Sequence, residues 1–265
     1  MIKTLKELNL EDDFLFAKVM SNKEICKEFL EKLLEIEIEK VELPENQKAI
    51  DLSLESKGIR LDIYVKDGNN TVYNVEMQRG KHKNLPKRLR YYQGNIDLDL
   101  ISKGEEYNNL AKSYIIFICT FDLFNRGRHR YTFETVCKED NSLKLEDEAN
   151  KIVLNTKSVM KDLSDELIDF LNYVEHSDDK TANNSNGTLV KNIHKRVLEV
   201  KNDVRMEVEY MTLVERDREN RKEGRKEVAI NLLDILDDEI IALKTGFSIE
   251  EVRELRKENN AVKQD

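Results

Sequence analysis

Asp62 and Glu76 are spaced to meet. Asp62 lies in Arg60-Leu61-Asp62-Ile63-Tyr64-Val65 and Glu76 in Tyr73-Asn74-Val75-Glu76-Met77-Gln78, and both segments alternate apolar and polar residues with the period of half-buried strands. Between them Lys66-Asp67-Gly68-Asn69-Asn70-Thr71 is turn chemistry, so the two read as a β-hairpin. Register decides what the hairpin can do, because a shift of one residue sends every side chain to the other face. A three-residue loop, Gly68-Asn69-Asn70, pairs Val65 with Tyr73 and sets Asp62 opposite Glu76, with their Cβ atoms ~5 Å apart. A two-residue loop sets Asp62 against Val75 instead. In the first register the carboxylates repel by about 3 kcal/mol at an effective dielectric of about 20. Protonation of one acid, a nearby Lys or Arg, or a divalent cation would offset that, and only the cation also creates chemistry. The plain alternative is a solvated strand face, in a chain where 53 of 265 residues are Asp or Glu.

The stretch after Glu76 favours the chemical reading. Gln78 continues the polar face, and residues 79–90 then carry six Lys or Arg: Arg79, Lys81, Lys83, Lys87, Arg88 and Arg90. In a chain of formal net charge -9 this is a sharp local reversal, the footprint expected where phosphates approach. A carboxylate pair beside a basic strip suggests metal-assisted attack on a phosphodiester.

The ordered set of these residues resembles the Rpn family, the recombination-promoting nuclease and transposase branch of the PD-(D/E)xK nucleases. The residues that carry the resemblance are Asp62, then Glu76-x-Gln78, preceded by Asp12-Asp13-Phe14-Leu15-Phe16-Ala17-Lys18-Val19-Met20 and followed by Arg90-Tyr91-Tyr92-Gln93. It covers roughly residues 5–175 and takes in Gly127-Arg128-His129-Arg130-Tyr131-Thr132-Phe133. It implies an α/β fold of the α+β type with a mixed sheet: a restriction-endonuclease-like core of helix, three-stranded antiparallel meander, helix and a further strand. It also implies a metal held by Asp62 and Glu76, with the backbone carbonyl of Met77 as a further ligand and Asp13 as a residue that helps complete the site. The metal expected is Mg²⁺, with Mn²⁺ as a substitute. Gln78 stands where the superfamily usually has Lys, so it would orient the attacking water while a cation such as Lys81 supplies the charge.

Composition bounds the rest. At 31.1 kDa the chain can bury a core, and one main domain with an appendage is the expected division. No run approaches ~18 apolar residues and the N-terminus lacks a signal-peptide pattern, so a cytoplasmic protein without a membrane span is expected. Cys26, Cys119 and Cys137 form no C-x-x-C pair and the four His show no ligand spacing, which argues against a zinc site.

The elements that must position the site follow in order. Residues 11–35 read as one or two amphipathic helices, with Asp12 or Asp13 at a helix start. Ala49 to Leu54 alternates like the first strand of the meander, turning at Glu55-Ser56-Lys57-Gly58. Pro86 suits the first turn of a helix running to about Ser102, with Arg90, Gln93 and Asp97 on one face and Tyr91, Leu98 and Ile101 on its buried side. Tyr114-Ile115-Ile116-Phe117-Ile118-Cys119 reads as a strand buried on both faces. A second basic turn, Arg126-Gly127-Arg128-His129-Arg130, precedes a strand at 131–136, and Lys151 to Asn155 reads as an edge strand.

The boundaries expected are a nuclease-like domain at 1–175, a flexible linker at 176–187 ending in Asn183-Asn184-Ser185-Asn186-Gly187, and a helical extension at 188–265. In the extension Leu189, Ile193, Val197, Val200, Val204, Val208 and Met211 recur at helical spacing and suit packing on the first domain or self-association into a homo-oligomer. Residues 238–252 scan as helix, turn, helix with a Ser248 and Glu251 capping box. Glu250, Glu251 and Glu254 sit where a DNA-reading helix wants donors, so a structural or partner-binding unit is expected.

The function expected is a Mg²⁺-dependent DNA endonuclease with Asp62, Glu76 and Gln78 at the reacting centre. DNA would be gripped by Arg79, Lys81, Lys83, Arg88, Arg90 and Arg128. The competing expectation is a weakly catalytic or inactive nucleic-acid-binding or assembly protein that keeps the fold.

Overall fold

The computed structural model describes residues 3–43, 49–50, 59–81 and 84–262. The chain divides into two compact units, 1–203 and 204–265.

The first unit is built on a mixed six-stranded sheet. Its strands are β1 (Val41–Glu42), β4 (Ile63–Asp67), β5 (Val72–Gln78), β6 (Ser113–Cys119), β7 (Arg130–Phe133) and β8 (Ala149–Asn155), in the order β1-β4-β5-β6-β8-β7. The β4–β5 hairpin has the register that the three-residue loop demands: Val65 pairs with Tyr73 and Ile63 with Val75. The loop is tied by Asp67, whose Oδ1 accepts the backbone N–H groups of Asn69 and Thr71 at 2.9 and 2.8 Å. Its Oδ2 takes the Tyr73 hydroxyl at 2.7 Å. Asn70 turns the chain at φ 63°, the left-handed region that Asn tolerates.

β5 and β6 run parallel and so need a crossover, which is α3 (Leu85–Leu100). This helix buries Leu85, Leu89, Tyr92 and Ile96, at 3–4 residue spacing, against Tyr64, Val72, Ile115, Phe117, Cys119 and Val153 of the sheet. Asn74, Glu76 and Gln78 share the face of β5 that carries Val72 and so lie under this helix. The opposite face presents Ile63, Val65, Tyr73, Val75, Met77, Ile116 and Ile118, all buried. A second layer consists of α1 (Asp13–Met20), α2 (Lys23–Leu34), α4 (Asp165–Glu175) and α6 (Leu189–Asn202), with α1, α2 and α4 each packed on α6.

Several expectations are corrected. The strand beside β4 is β1, not the Ala49 segment; Ala49–Ile50 (β2) pairs with Ile59–Arg60 (β3) as a separate two-stranded ribbon. The rest of the expected first strand and its turn lie outside the described residues. β8 is not an edge, because β7 pairs on its outer side and β6 on its inner. α3 is rotated from the expected orientation. Tyr91 and Leu98 are exposed, at 39% and 61%, because the apolar spacing of Leu85, Leu89, Tyr92 and Ile96 fixes the inward stripe.

The segment expected as a linker, 176–187, belongs to the first unit. It contains α5 (Asp179–Asn184), capped by Asp178, and Asn186 donates to Asp169 at 2.7 Å. Gly187 has φ 66°, and a Cβ there would fall 2.2 Å from the Glu166 carboxyl. That carboxyl accepts the Thr188 and Leu189 N–H groups at the start of α6, at 2.7 and 2.9 Å. The division of the chain therefore falls at 203/204 rather than at 176–187. The predicted apolar stripe splits there too: Leu189, Ile193, Val197 and Val200 are buried, whereas Val204, Val208 and Met211 are exposed.

The second unit holds α7 (Val204–Leu232), α8 (Asp238–Thr245) and α9 (Ile249–Val262). Ala229, Leu233, Ile241, Ala242, Val252 and Leu255 form its core. Gly246 ends α8 at φ 75°, and Ser248 and Glu251 form the reciprocal cap of α9 at 2.8 and 3.2 Å. Among the described residues no helix is long and apolar enough to cross a membrane.

Candidate active site

Asp62 and Glu76 meet at the mouth of the β4–β5 hairpin. Continuing the ladder by one pair beyond Ile63 and Val75 puts them opposite, and two crossed hydrogen bonds hold them there. The Asp62 backbone N–H donates to Glu76 Oε1 at 3.0 Å, and the Met77 backbone N–H donates to Asp62 Oδ2 at 3.1 Å. Since a strand residue's N–H and C=O point to the same side, the Met77 carbonyl also faces the Asp62 edge.

Glu76 is 3% exposed. Burial, then the charge of Asp62, push its carboxyl well above the ordinary range. The Asp62 N–H, the Asn74 amide and Arg88 oppose the shift without reversing it. Asn74, two residues back on the same face, is fully buried with its amide beside the Glu76 carboxyl.

Gln78 and Arg88 form the next layer. Gln78 is 7% exposed and uses both ends of its amide: Nε2 donates to the Gly80 carbonyl at 2.8 Å, and Oε1 accepts from Arg88 Nη1 at 2.6 Å. Arg88 Nη2 donates to the Tyr92 hydroxyl at 3.0 Å, and the guanidinium lies 5.4 Å from the centroids of both Tyr92 and Phe117. Gln78 thus holds Arg88.

The other expected residues scatter. Asp12 caps α1 by accepting the Phe14 N–H at 3.1 Å, and Arg79 joins it at 3.2 Å. Asp13 is exposed and lies 3.6 Å from Arg79. Among the described residues no three His, Cys, Asp or Glu side chains gather as a metal cluster. Arg79 is accordingly engaged by two acids.

Lys81 reaches Asn125 at 3.5 Å, which brings the first basic loop against the second. There Arg126 and Arg128 are exposed, while Arg130 donates to the Leu33 carbonyl at 3.1 Å and His129 is buried on Asp162 at 2.8 Å. Asp122 knots this loop by accepting from Phe124, Asn125, Gly127 and Tyr131. Arg90 is exposed on the outer side of α3. Lys83 lies outside the described residues.

Sequence reasoning missed Asn74 and the inward role of Arg88. The second was available, since Leu85, Arg88, Tyr92 and Asn95 recur at three and four residues.

A carboxylate pair at a strand end under a crossover helix, with Glu76 buried and Asp62 partly so, is a nuclease-like arrangement. The family model described as PD-(D/E)XK nuclease family transposase matches residues 11–234, and the chain belongs to that family. The match runs past the resemblance at 5–175 and stops before α8. No curated protein and no solved structure matches the chain. Members of the PD-(D/E)XK nucleases generally use divalent metals. The donor set here fits one: two carboxylates and a carbonyl are hard oxygens, and Mg²⁺ commonly takes only one or two carboxylates, completing its shell with water and phosphate.

Proposed function

We propose that this protein is a Mg²⁺-dependent DNA endonuclease, with Mn²⁺ able to substitute. The observation that carries the reading is the Asp62–Glu76 pair, locked opposite by two main-chain hydrogen bonds with Glu76 buried at 3% exposure. Such an arrangement costs stability in the absence of a cation and would be hard to retain for packing alone.

Asp62, Glu76 and the Met77 carbonyl would hold the cation, which would supply Lewis acidity toward the phosphate and lower the pKa of the attacking water. The chain does the rest. The crossed hydrogen bonds fix both carboxylates before the ion arrives, so little reorganisation accompanies binding. The buried Asn74 amide would donate to Glu76 or to water in the same pocket. Burial under α3 keeps bulk solvent from screening these charges. Lys81, Arg126 and Arg128, on loops that leave the C-terminal ends of β5 and β6, would take backbone phosphates on either side of the scissile bond.

A plasmid-nicking assay across Mg²⁺, Mn²⁺ and Ca²⁺ tests this. Cleavage is expected with the first two, while Ca²⁺ is expected to support DNA binding without turnover. If folded Glu76→Ala protein, free of contaminating nuclease, cut DNA at the wild-type rate at every Mg²⁺ concentration, the reading would be wrong. DNA binding without cleavage in any ion would instead leave an inactive binder on the nuclease fold.

A further inference from the structure

We infer that Arg88, presented by Gln78, is the phosphate-binding cation of this site, and that Gln78 is its positioning residue. The inference rests on the nuclease reading above and moves the charge from the strand to the crossover helix.

Arg88 is singled out within the basic strip. Its neighbours Lys87 and Arg90 are exposed, whereas Arg88 is half-buried on the inward side of α3 with Leu85, Leu89 and Tyr92. Its held contacts are all neutral: the Gln78 carbonyl oxygen at 2.6 Å, the Tyr92 hydroxyl at 3.0 Å, and the faces of Tyr92 and Phe117. Among the described residues no carboxylate lies within ion-pair distance of it. A half-buried guanidinium fixed at two nitrogens, and not neutralised, is arranged to receive an anion. Glu76 senses its charge, which places the two groups in one electrostatic environment.

Gln78 explains how the charge is kept. Its Nε2 is spent on the Gly80 carbonyl, which fixes the amide so that oxygen faces Arg88. A Glu at 78 would bind Arg88 more tightly and cancel its charge. A Lys at 78 would set an ammonium against the guanidinium. A neutral acceptor is the side chain that aims Arg88 and leaves it positive, and the chain carries Gln at the position where its superfamily usually carries Lys.

The test is a charge-relocation series in the full chain, read by cleavage in Mg²⁺ and by fluorescence anisotropy of duplex DNA in Ca²⁺ as salt is varied. Arg88→Met is expected to lower kcat by ~10²–10³, the loss typical of one donor aimed at developing charge. It is also expected to reduce the slope of log K against log salt by about one, the loss of one phosphate contact. Arg88→Lys should recover part of both losses. Gln78→Glu should lower kcat while leaving the melting temperature unchanged or raised, a combination that a merely structural Gln78 would not give. Gln78→Lys alone should be impaired, and the double variant Gln78→Lys/Arg88→Met should cleave faster than either single variant.

Folded Arg88→Met protein that cleaves at the wild-type rate with an unchanged salt slope overturns the inference and leaves the nuclease reading standing. So does a Gln78→Glu variant with unimpaired kcat. A wild-type chain inert in every ion, but with the Arg88-dependent slope intact, supports the phosphate contact and removes the nuclease reading.

Discussion

Glu76 is held at a cost, and that cost makes a measurable prediction about pH. Its carboxyl is raised above the ordinary range by burial and by Asp62, so the folded state holds this proton more tightly than the unfolded state, where Glu titrates near ~4.3. Stability that is complete below the unfolded pKa is therefore lost as pH rises through the folded pKa. Without divalent ions, thermal melts of the wild type should fall across this window relative to Glu76→Gln, whose side chain stays neutral. At neutral pH Glu76→Gln should melt higher by several degrees, since relief of the carboxylate repulsion is worth up to about 3 kcal/mol. Mg²⁺ should raise the wild-type melting temperature and leave Glu76→Gln nearly unmoved. A wild type that melts higher than Glu76→Gln in chelator at neutral pH would show that Glu76 is not an unfavourably buried acid. This carboxylate pair was legible in the sequence because turn length and parity fix a hairpin register, and register fixes which side chains oppose. Arg88 was harder to read: six cations in twelve residues look alike as charge, and only the phase of α3 separates the inward one from the outward ones.

At the level of elements, α3 and the β5 and β6 loops divide the work between support and contact. Leu89 is 4% exposed in the cluster that seats α3 on the sheet, so Leu89→Ala should cost ~2–5 kcal/mol and loosen the helix carrying Arg88. Leu98→Ala, at 61% exposure, should stay within about 0.5 kcal/mol. Chemical denaturation of both variants reads this, and equal losses would return α3 to the orientation first expected from sequence. The basic rim gives a separate outcome. Lys81→Ala/Arg126→Ala/Arg128→Ala should weaken DNA binding and reduce the salt slope by about two to three while leaving the melting temperature unchanged, because these side chains are exposed. An unchanged slope would place the phosphates elsewhere. Strand identity was readable where periodicity was strong, as in the continuous apolar run of β6. Strand order was not: whether Val41 or Ala49 neighbours β4, and whether β8 is central or at an edge, depends on long-range pairing that no local pattern encodes.

For the whole molecule the informative question is where the chain can be cut. The polar segment 176–187 has the composition of a linker, and a cut after Gly187 looks natural from sequence alone. The structure argues the reverse. Removing α6 would expose the pocket filled by Leu189, Val190, Ile193, Val197 and Val200, each at 0–2% exposure. At ~1.5–3 kcal/mol per buried side chain that loss reaches roughly 8–15 kcal/mol, the size of a domain's entire stability. It would also strip the partners of Glu166 and break the contact between the Tyr173 hydroxyl and His194 Nδ1 at 2.8 Å. A chain ending at 187 should therefore fail to fold cooperatively. A chain ending at Asp203 keeps the sheet, the carboxylate pair, α3 and α6, and should retain a cooperative melt and Mg²⁺-dependent cleavage. What it loses is α7, with the exposed Val204, Val208 and Met211, and the α8–α9 pair, whose second helix turns Glu250, Glu251 and Glu254 to solvent. That acidic surface is ill suited to DNA, so removing it should leave DNA affinity unchanged within about twofold. Sedimentation of the two forms should show any self-association only in the full chain. A folded 1–203 fragment that had lost cleavage would place part of the working site in the second unit, and a fragment ending at 187 with an undiminished melt would restore the linker to where its composition suggests.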